Sequence, residues 1–319
     1  MNMNYQGIIN YPGPKQEYKV LVRCFTYNQK TYIEDALNGF AMQQTDFPFV
    51  CFVMDDASTD GEQDVIKAWM ERECDMDKAE TIEIPSSIVI IVPHKANISC
   101  TFAFYFLIQN LYKDHAEKIK HVTPWRERCE YEAICEGDDY WVDPMKLQKQ
   151  ADFLDNNLDY SMCFHAHKEL YSNGDHEIIR RYDNDICDTP KNDMICGGGG
   201  FMATNSMFYR ISVYNPYPEW ASNAPIGDYP LMLVLLYRGK VCFMADIMSI
   251  YRIAANGSWS NTMTADRRRL LSHKSKIFQM LNSFNRWSNY EYRSTVHKML
   301  LLNLKDRMKI FVKIFLRIR

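Results

Sequence analysis

The sequence predicts an α/β protein whose mostly parallel sheet is flanked by helices. Apolar runs of strand length, at 19–24 and 49–54, alternate with segments of helical character at 31–43 and 62–72. Polar residues directly follow each of these two strands. The chain has 319 residues, of which 47% are hydrophobic and 24% charged, so its composition allows a globular domain with a sizeable core.

The same alternation continues along the chain. A third strand is predicted at 88–92, a helix at 102–112, and a fourth strand at 131–135 that runs into an acidic cluster. The stretch 113–128 is charged and poorly periodic, which favours a surface insertion between that helix and strand. A further apolar strand is predicted at 160–167.

Three polar segments follow predicted strands and should meet at one rim of the sheet. They are Thr26-Tyr27-Asn28, Asp55-Asp56 and Asp138-Asp139. In a parallel sheet covered by helices, ligands bind outside the carboxyl ends of the strands. These three segments therefore predict one binding site.

Charge and cysteine content exclude several classes of protein. A formal net charge of -3 gives no global field for a nucleic acid polymer. Ten cysteines without a Cys-x-x-Cys pair favour cytosolic thiols in the core over a zinc ribbon or a redox centre. No run approaches the roughly 18 apolar residues of a membrane span, so we expect a cytoplasmic protein.

The acidic cluster Glu136-Gly137-Asp138-Asp139 is the strongest chemical signal. Adjacent carboxylates repel each other, and a divalent cation such as Mn²⁺ or Mg²⁺ offsets that repulsion while phosphate oxygens complete its shell. The alternative is a solvated acidic turn. A preceding strand and the following Tyr140-Trp141 favour the cation and a nucleoside diphosphate.

In order and spacing, these motifs resemble those of family 2 inverting glycosyltransferases of GT-A fold. The continuation 143–150 is similar to the helix after the metal motif in bacterial surface-polysaccharide members, and the resemblance covers about residues 17–260. It implies a Rossmann-like sheet. It also implies transfer of a sugar, with inversion, from a UDP-sugar donor to a hydroxyl of a glycan or lipid-linked saccharide.

The resemblance also implies roles for individual residues. Asp56 would accept a hydrogen bond from a uracil ring, Asp138 would lie near the ribose, and Asp139 would bind the metal. For Asp55 and Asp56 an Asx-turn with helix capping is the alternative. The implied nucleotide-binding set is Thr26, Tyr27, Asn28, Asp56 and Asp138.

Inverting transfer needs one general base beside the acceptor hydroxyl. The segment 226–231 resembles the family segment that carries it, which makes Asp228 the candidate. Asp228 also suits the N-cap of a helix predicted at 230–238, and the two roles are compatible. The four glycines at 197–200 lack a Walker pattern, so they form either an acceptor-side loop or a plain flexible connection.

One departure from the family pattern follows the Tyr251-Arg252 pair. Many relatives place a histidine shortly after it, where this chain has Ala254. Arg252, Ser258 and Trp141 are the remaining candidates for contacts with diphosphate or acceptor. The missing histidine motivates a second hypothesis, a catalytically impaired GT-A fold that binds nucleotide or glycan.

Two further patterns carry weaker predictions. His165 and His167 would face the same side of a strand, where buried structural histidines are favoured over a metal pair. A nucleotidyltransferase would need a glycine-rich basic loop after the first strand, and 25–28 lacks both features.

The sequence divides into a GT-A nucleotide-sugar domain at 1–265 and a helical, basic extension at 266–319. The last part, 305–319, has six Lys and Arg against one Asp, mixed with apolar residues. Such a segment either lies on an anionic membrane, at the inner face of the cytoplasmic membrane, or packs its apolar side on the domain. The first alternative suits a lipid-linked acceptor.

Overall fold

The computed structural model describes residues 17–111, 115–253 and 266–316. Within them, strands β1 to β12 span Val20–Thr26, Phe49–Asp55, Glu80–Ile84, Ser87–Pro93, Cys100–Leu107, Tyr131–Ile134, Tyr140–Trp141, Tyr160–Leu170, His176–Ile179, Ile186–Asp188, Phe208–Arg210 and Lys240–Arg252. Helices α1 to α10 span Ile33–Ala41, Glu62–Glu73, His115–Arg126, Lys146–Asn156, Lys191–Gly197, Ile211–Tyr214, Glu219–Ser222, Asp228–Arg238, Arg267–Trp287 and Arg293–Phe315.

The strands form one mixed sheet in the order β10-β12-β8-β11-β6-β1-β2-β5-β4-β3, with β7 beside β12 and β9 beside β8. Its centre, β6-β1-β2-β5, is parallel, whereas β11 and β4 pair antiparallel on either side. Thr26 at the end of β1 is in register with Asp55 at the end of β2. Parallel strands in register bring the polar turns to one rim.

Both faces of the central strands are covered, because alternate side chains of a strand point to opposite faces. Val20, Val22 and Cys24 of β1 pack in a cluster with α1, α2 and α4. Leu21 packs on the other face, in a cluster with α3. The predicted helix-covered sheet with a largely parallel centre is confirmed.

The predicted helix at 102–112 is wrong, because 100–107 is the buried strand β5. Cys100 to Leu107 pairs in parallel with β2 and antiparallel with β4 over its whole length. The segment has an apolar run and four aromatic rings. A fully buried strand lacks polar alternation, so its apolar run resembles a buried helix, while its aromatic content favours a strand.

The predicted surface insertion at 113–128 is also wrong in its main part. Residues 115–126 form α3, and Val122 and Trp125 are buried against the sheet. The Trp125 indole donates to Tyr105 of β5 at 2.8 Å. The apolar side of this helix is hard to recognise in the sequence, because charged residues are interspersed with the residues that pack on the sheet.

The C-terminal helices extend the core. Met280, Leu281 and Phe284 of α9 and Val296 of α10 belong to the same hydrophobic cluster as Leu233 of α8. No helix in the three described ranges is both long and apolar enough to cross a membrane.

Candidate active site

Two of the three rim turns are fastened to each other. Asn28, in left-handed conformation with φ 54°, donates its backbone N–H to Ser58 Oγ at 2.9 Å. Its side-chain Oδ1 accepts the Thr59 backbone N–H at 2.8 Å. Asn tolerates this conformation better than most residues. The turns after β1 and β2 therefore form one unit at the rim.

Thr26 lies beneath this unit rather than open to solvent. Its hydroxyl is within hydrogen-bond distance of Gln29 Oε1, at 2.8 Å, and of the Glu62 carboxylate. Glu62 also accepts the Gln29 backbone N–H at 2.8 Å. Burial raises the pKa of Glu62, against the hydrogen bonds that stabilise its charge. Sequence reasoning missed Glu62, whose position after Gly61 signalled only a helix start.

Asp55 and Asp56 point to different partners. Asp55 Oδ1 accepts the Ser58 N–H at 3.0 Å and Gln63 Nε2 at 2.6 Å, a local turn contact of the kind that the alternative interpretation described. The buried Asp56 carboxylate lies 2.7 Å from Lys118 Nζ and also accepts the Leu111 N–H. A uracil ring would share or replace one of these partners, and the role predicted for Asp56 stays a prediction.

Lys118 is a second residue that the sequence did not single out. It lies on α3, in the stretch predicted as a surface insertion, yet it reaches Asp56 at the rim. Burial raises the pKa of Glu136 in the acidic cluster, and the charges of Arg23 and Lys118 oppose that rise. Lys118 thus places a positive charge between the second and third rim segments.

The acidic cluster concentrates negative charge in a buried place. Asp139 is 2% exposed, and its Oδ1 accepts the Arg252 backbone N–H at 2.8 Å. Burial, then the neighbouring charge of Asp138, raises the pKa of Asp139 well above its usual value. Burial also raises the pKa of Asp138. Such carboxylates are stabilised as anions by an added cation.

Glycine is required at position 137 by a close approach. A Cβ there would lie 2.3 Å from Thr26 Oγ1 and 2.6 Å from Gln29 Oε1. The chain beyond β6 continues alongside β1, since Gly137 donates its N–H to the Phe25 carbonyl at 3.2 Å. This contact places Asp138 and Asp139 beside the turn after β1.

The side chains of the acidic cluster could supply some, but not all, of the ligands of a divalent cation. Asp138 and Asp139 supply the hard carboxylate oxygens that Mg²⁺ and Mn²⁺ prefer. In the described parts of the chain, no three His, Cys, Asp or Glu side chains are grouped as a metal site. A cation here would therefore take further ligands from the diphosphate or water.

Arg252 joins the acidic cluster to α1. Its Nη1 donates to the Asp138 carbonyl at 2.8 Å, and its Nη2 pairs with Asp35. The guanidinium lies 4.9 Å from the Tyr32 ring centre and 4.5 Å from that of Tyr140. This position beside Asp138 suits the predicted diphosphate contact, which stays a prediction. Ala254 and Ser258 lie outside the described residues.

Asp228 begins α8, two residues earlier than predicted. The N-cap is Gly227, and the Asp228 carboxylate accepts the N–H of Tyr229 at 2.7 Å. Burial raises the pKa of Asp228. A carboxylate whose pKa is raised is a stronger proton acceptor.

Tyr251 connects the candidate base with the acidic cluster. Burial raises the pKa of its phenol, and the negative charges of Asp139, Asp138 and Asp228 raise it further. Electrostatic effects of this kind require the groups to lie near one another. The charges of the base candidate and of the acidic cluster therefore act on the same phenol.

The four-glycine segment packs against Asp228. A Cβ at Gly199 would lie 3.2 Å from Asp228 Oδ2, and Gly198 has φ 64°. Arg181 fastens the far side of the turn, donating to the Phe201 carbonyl at 2.6 Å and to the Gly200 carbonyl at 2.8 Å. Of the two predicted alternatives, the position beside the base candidate favours an acceptor-side loop.

No protein-family profile matches the sequence. Over 249 residues the chain is 32% identical to Uncharacterized protein Rv1520 of Mycobacterium tuberculosis, and equally to Uncharacterized protein Mb1547 of Mycobacterium bovis. The alignment covers 76% of this chain and 61% of each relative, so the chain spans about three fifths of their length.

Two glycosyltransferase structures resemble the fold. S. aureus TarS 1-349 in complex with UDP-GlcNAc has a TM-score of 0.52 at 14% identity, covering 92% of this chain and 81% of TarS 1-349. Mannosyltransferase PcManGT from Pyrobaculum calidifontis, in complex with GDP-Man and Mn²⁺, has a TM-score of 0.50 at 12% identity, covering 95% and 79%. The chain has the GT-A fold of glycosyltransferases.

Within this GT-A fold, Trp141 lies in the core next to the acidic cluster. Its side chain is 1% exposed, packs on Phe40, and donates its indole N–H to the Asn205 carbonyl at 2.9 Å. An indole enclosed in this way has no surface for a ligand. Its burial argues against the predicted contact with diphosphate or acceptor.

The histidine pair of β8 lies in the interior of the GT-A fold. His165 and His167 are buried, and His165 Nδ1 lies 2.8 Å from the Ala166 carbonyl. Burial lowers the pKa of His167 to about 4. The ten cysteines are free thiols and eight of them are buried, which confirms the prediction that most are core residues.

A surface cavity of about 530 Å³ lies beside the site. It shares the turn 57–59 with the rim but is otherwise lined by Lys67, Ile88, Ile90, Phe106 and their neighbours. Neither the acidic cluster nor Asp228 lines it, so the predicted chemistry lies elsewhere.

Proposed function

We propose that the chain is a glycosyltransferase that moves a sugar, with inversion, from a nucleoside diphosphate donor to a hydroxyl. The proposed donor is a UDP-sugar, and the proposed acceptor is a glycan or lipid-linked saccharide in surface polysaccharide biosynthesis. The observation that carries the proposal is that the acidic pair Asp138 and Asp139, with Asp139 buried, lies beside the polar turn after β1 at the rim of the sheet, where the Gly137 N–H meets the Phe25 carbonyl at 3.2 Å. The charges of Asp228 and of this acidic pair both raise the pKa of Tyr251, which supports placing the base and the leaving-group site in one reaction.

The donor half of the site consists of the rim turns. The unit formed by Asn28 and Ser58 would hold the nucleoside, with Asp138 on the ribose side. Arg252, beside Asp138, would contact the diphosphate through charge-assisted hydrogen bonds. The structures of TarS with UDP-GlcNAc and of PcManGT with GDP-Man support a nucleotide-sugar donor.

Asp139, together with Asp138, would hold Mn²⁺ or Mg²⁺. Such an ion stabilises the charge that builds on the departing diphosphate. The Mn²⁺ in the PcManGT complex supports this assignment. The chain's own contribution is to hold Asp139 in place through the Arg252 backbone N–H.

Asp228 would act on the acceptor. Its carboxylate would take the hydroxyl proton while the acceptor oxygen forms a bond to the anomeric carbon. The bond from that carbon to the diphosphate oxygen breaks, and the diphosphate keeps the electron pair. Attack opposite the leaving group inverts the anomeric centre, which needs one base and no covalent intermediate.

Donor binding tests the first half of the proposal. We expect UDP with Mn²⁺ to raise the melting temperature by roughly 5 °C at about 100 times its Kd, because a ligand that binds only the native state stabilises it. Asp139→Asn should abolish the dependence on Mn²⁺ and leave the unliganded protein folded. Asp175→Asn, at an exposed turn, is the matched control.

A screen of UDP- and GDP-sugars by the same thermal shift then identifies the donor. Donor hydrolysis and transfer separate an enzyme from the alternative, an impaired GT-A fold that only binds. This alternative is worth testing because, in the described ranges, no three His, Cys, Asp or Glu side chains are grouped as a metal site. Binding without turnover for every donor and acceptor offered would establish it, and no shift with any nucleotide would rule out both.

A further inference from the structure

Charge is divided unevenly along the chain. Residues 266–319 contain fourteen basic residues (Lys and Arg) and three acidic residues (Asp and Glu). Residues 1–265 contain twenty-three basic and thirty-seven acidic residues. The acidic part holds the candidate site, and the basic part forms α9 and α10. The net charge of -3 conceals a strongly basic C-terminal pair of helices.

The basic residues gather at one end of this helix pair. Lys274 of α9 pairs with Asp306 of α10 at 3.1 Å, and Arg307 lies 5.5 Å from the Phe278 ring centre. At the other end of the pair, beside the connection between the helices, Phe284 stacks on Tyr292, with ring centres 6.0 Å apart. The helices therefore run antiparallel, and the start of α9 lies beside the last turns of α10. This end combines Arg267, Arg268 and Arg269 with the lysines of α10.

One face of α10 is apolar and exposed. Six of its side chains are 42–78% exposed and recur at intervals of one, three or four residues, which places them on one helix face. They are Leu301, Leu304, Met308, Phe311, Val312 and Phe315. The adjoining face, with Val296 and Leu300, packs on the core. We call the six exposed side chains the apolar stripe.

Three lysines lie alongside the apolar stripe. Lys305, Lys309 and Lys313 are exposed, four residues apart, and therefore form a row. An apolar stripe bordered by lysines can insert its side chains among acyl chains, while the ammonium groups reach phosphate oxygens at the surface. A second copy of the helix would bring like charges together, which disfavours a homodimer through this face.

We propose that the apolar stripe and the lysine row dock the protein on an anionic lipid surface. The described stripe reaches from Leu301 to Phe315, so it begins earlier than the predicted segment 305–319, whose last three residues lie outside the described part. Both attractions act together, because each basic residue near an anionic surface adds to the energy of the buried apolar side chains.

The docking helix is connected to the candidate base through a hydrogen bond at the surface and helix α5. Thr295 of α10 lies 2.7 Å from Asn192 of α5, Oγ1 to Oδ1. Helix α5 ends at Gly197, directly before the glycine turn that packs on Asp228. Resting on the proposed function, this connection implies that docking fixes the acceptor side of the site relative to the membrane, as a lipid-linked acceptor requires.

Sedimentation of the full-length protein with vesicles tests the surface. Vesicles of phosphatidylcholine with phosphatidylglycerol should bind the protein, and vesicles of phosphatidylcholine alone should bind it far less. Lys305→Gln, Lys309→Gln and Lys313→Gln combined should lower the binding constant on the order of 100-fold. Phe311→Ser with Phe315→Ser should lower it about tenfold or more.

Matched surface changes control for nonspecific effects. Leu158→Ser with Ile98→Ser removes exposed apolar side chains elsewhere, and Lys78→Gln removes an exposed lysine. These variants should bind vesicles as the unmodified protein does. Equal binding by the stripe variants, or no difference between the two vesicle types, would overturn the proposal. A dimer that Phe311→Ser dissociates, without any vesicle binding, would assign the face to a second copy.

Transfer assays keep this proposal separate from the proposed function. If a water-soluble acceptor is glycosylated equally by all variants, the catalytic proposal stands whatever the vesicles show. Loss of transfer to a vesicle-bound acceptor only in the stripe and lysine variants supports docking. If donor turnover is absent but vesicle binding follows the predicted order, the docking surface stands and the catalytic proposal fails.

Discussion

The carboxyl group of Asp228 is held where its charge is unfavourable. Burial raises its pKa, and the compensating hydrogen bonds come only from the backbone at 228 and 229. The native state therefore binds its proton more tightly than the unfolded chain does. The ionised carboxylate destabilises the folded protein by its full amount above the folded pKa. This destabilisation disappears as pH falls from the folded pKa to the unfolded pKa.

Replacing Asp228 should separate activity from stability. We expect Asp228→Asn to lower the transfer rate by about 100-fold or more, since a general base contributes roughly that much. Its melting temperature at neutral pH should equal or exceed that of the unmodified protein, because the amide carries no buried charge. In the unmodified protein, transfer should fall as pH drops through the raised pKa. A rate within tenfold of normal would remove Asp228 from the mechanism.

Lys146 is an unusual buried cation below the site. Its side chain is fully buried, its Nζ lies 2.7 Å from Gln150 Oε1, and it sits 4.1 Å from the Trp141 ring centre. Burial lowers its pKa to about 7. The amine is thus close to half protonated at neutral pH.

This lowered pKa predicts a pH-dependent stability. Between about pH 7 and 10.5 the unfolded chain holds a proton that the native Lys146 has released, so stability rises with pH in that window. Lys146→Met should be more stable than the unmodified protein below pH 7, by about 5 kcal/mol before its lost contacts are counted, since each pKa unit corresponds to about 1.4 kcal/mol. Urea denaturation across pH measures the difference, which should shrink toward pH 10. A constant difference would contradict the lowered pKa.

At the residue scale, adjacency in sequence decided what could be predicted. Asp138 and Asp139 follow a strand as a pair, and the structure places them at the rim. Glu62 and Lys118 reach the same rim from the starts of α2 and α3. Their distance to Thr26 and Asp56 is set by tertiary packing, which no local pattern encodes.

At the element scale, strand β5 shows where periodicity is insufficient. Its side chains pack on both faces of the sheet, so they lack the polar alternation that marks a half-buried strand. For α3 the error was the reverse: the segment was predicted to lie at the surface because it is charged, although its Val122 and Trp125 are buried. The first two βα units were predicted well, since each has a clear apolar strand and a polar stop.

A buried ion network joins β1, β6 and α3. Glu132 of β6 pairs with Arg23 of β1 at 2.7 Å and with Arg126 of α3 at 2.6 Å. Burial alone would raise the pKa of Glu132, but the two guanidinium groups lower it to about 2. The network fixes α3, and hence Lys118, on the sheet.

Removing the central charge should loosen this junction. Glu132→Gln removes the carboxylate that both buried guanidinium groups share and leaves Arg23 with only the more distant Glu136, at 3.8 Å. We expect a loss of about 3–5 kcal/mol at neutral pH. The stability from Glu132 is present above about pH 4.5 and is lost as pH falls toward 2. Chemical denaturation of both proteins between pH 7 and 3 should show the gap narrowing.

Glu34→Gln provides the matched control, since its ion pair with Arg72 is exposed. It should change stability by at most about 1 kcal/mol. A Glu132→Gln effect no larger than this would show that the network contributes nothing beyond a surface pair.

At the scale of the whole molecule, the order and direction of the strands bring the residues of the candidate site together. Register along β6-β1-β2 brings three turns, distant in sequence, to one rim, and this convergence followed from the βα alternation alone. The position of Asp228 did not follow, because α8 packs beside β8 and β12, beyond the antiparallel strand β11 that ends the simple βα alternation. Its prediction depended on resemblance to a family.

The division of charge is also a property of the whole molecule. An acidic body and a basic helix pair form an electric dipole, which would turn the protein toward an anionic surface before contact. Such long-range orientation weakens as salt shortens the screening length. Total composition gave no sign of it, because the opposite charges nearly cancel.

The fastening of Asn28 to Ser58 and Thr59 has a consequence for how fast and how tightly a ligand is captured. Backbone freedom in both turns has already been lost during folding, so the nucleotide of the proposed function would meet a preorganised binding surface there. Little ordering entropy then opposes association, and more of the contact energy remains as affinity. Capture at this rim should resemble the docking of two preformed surfaces, with a rate governed by diffusion and orientation.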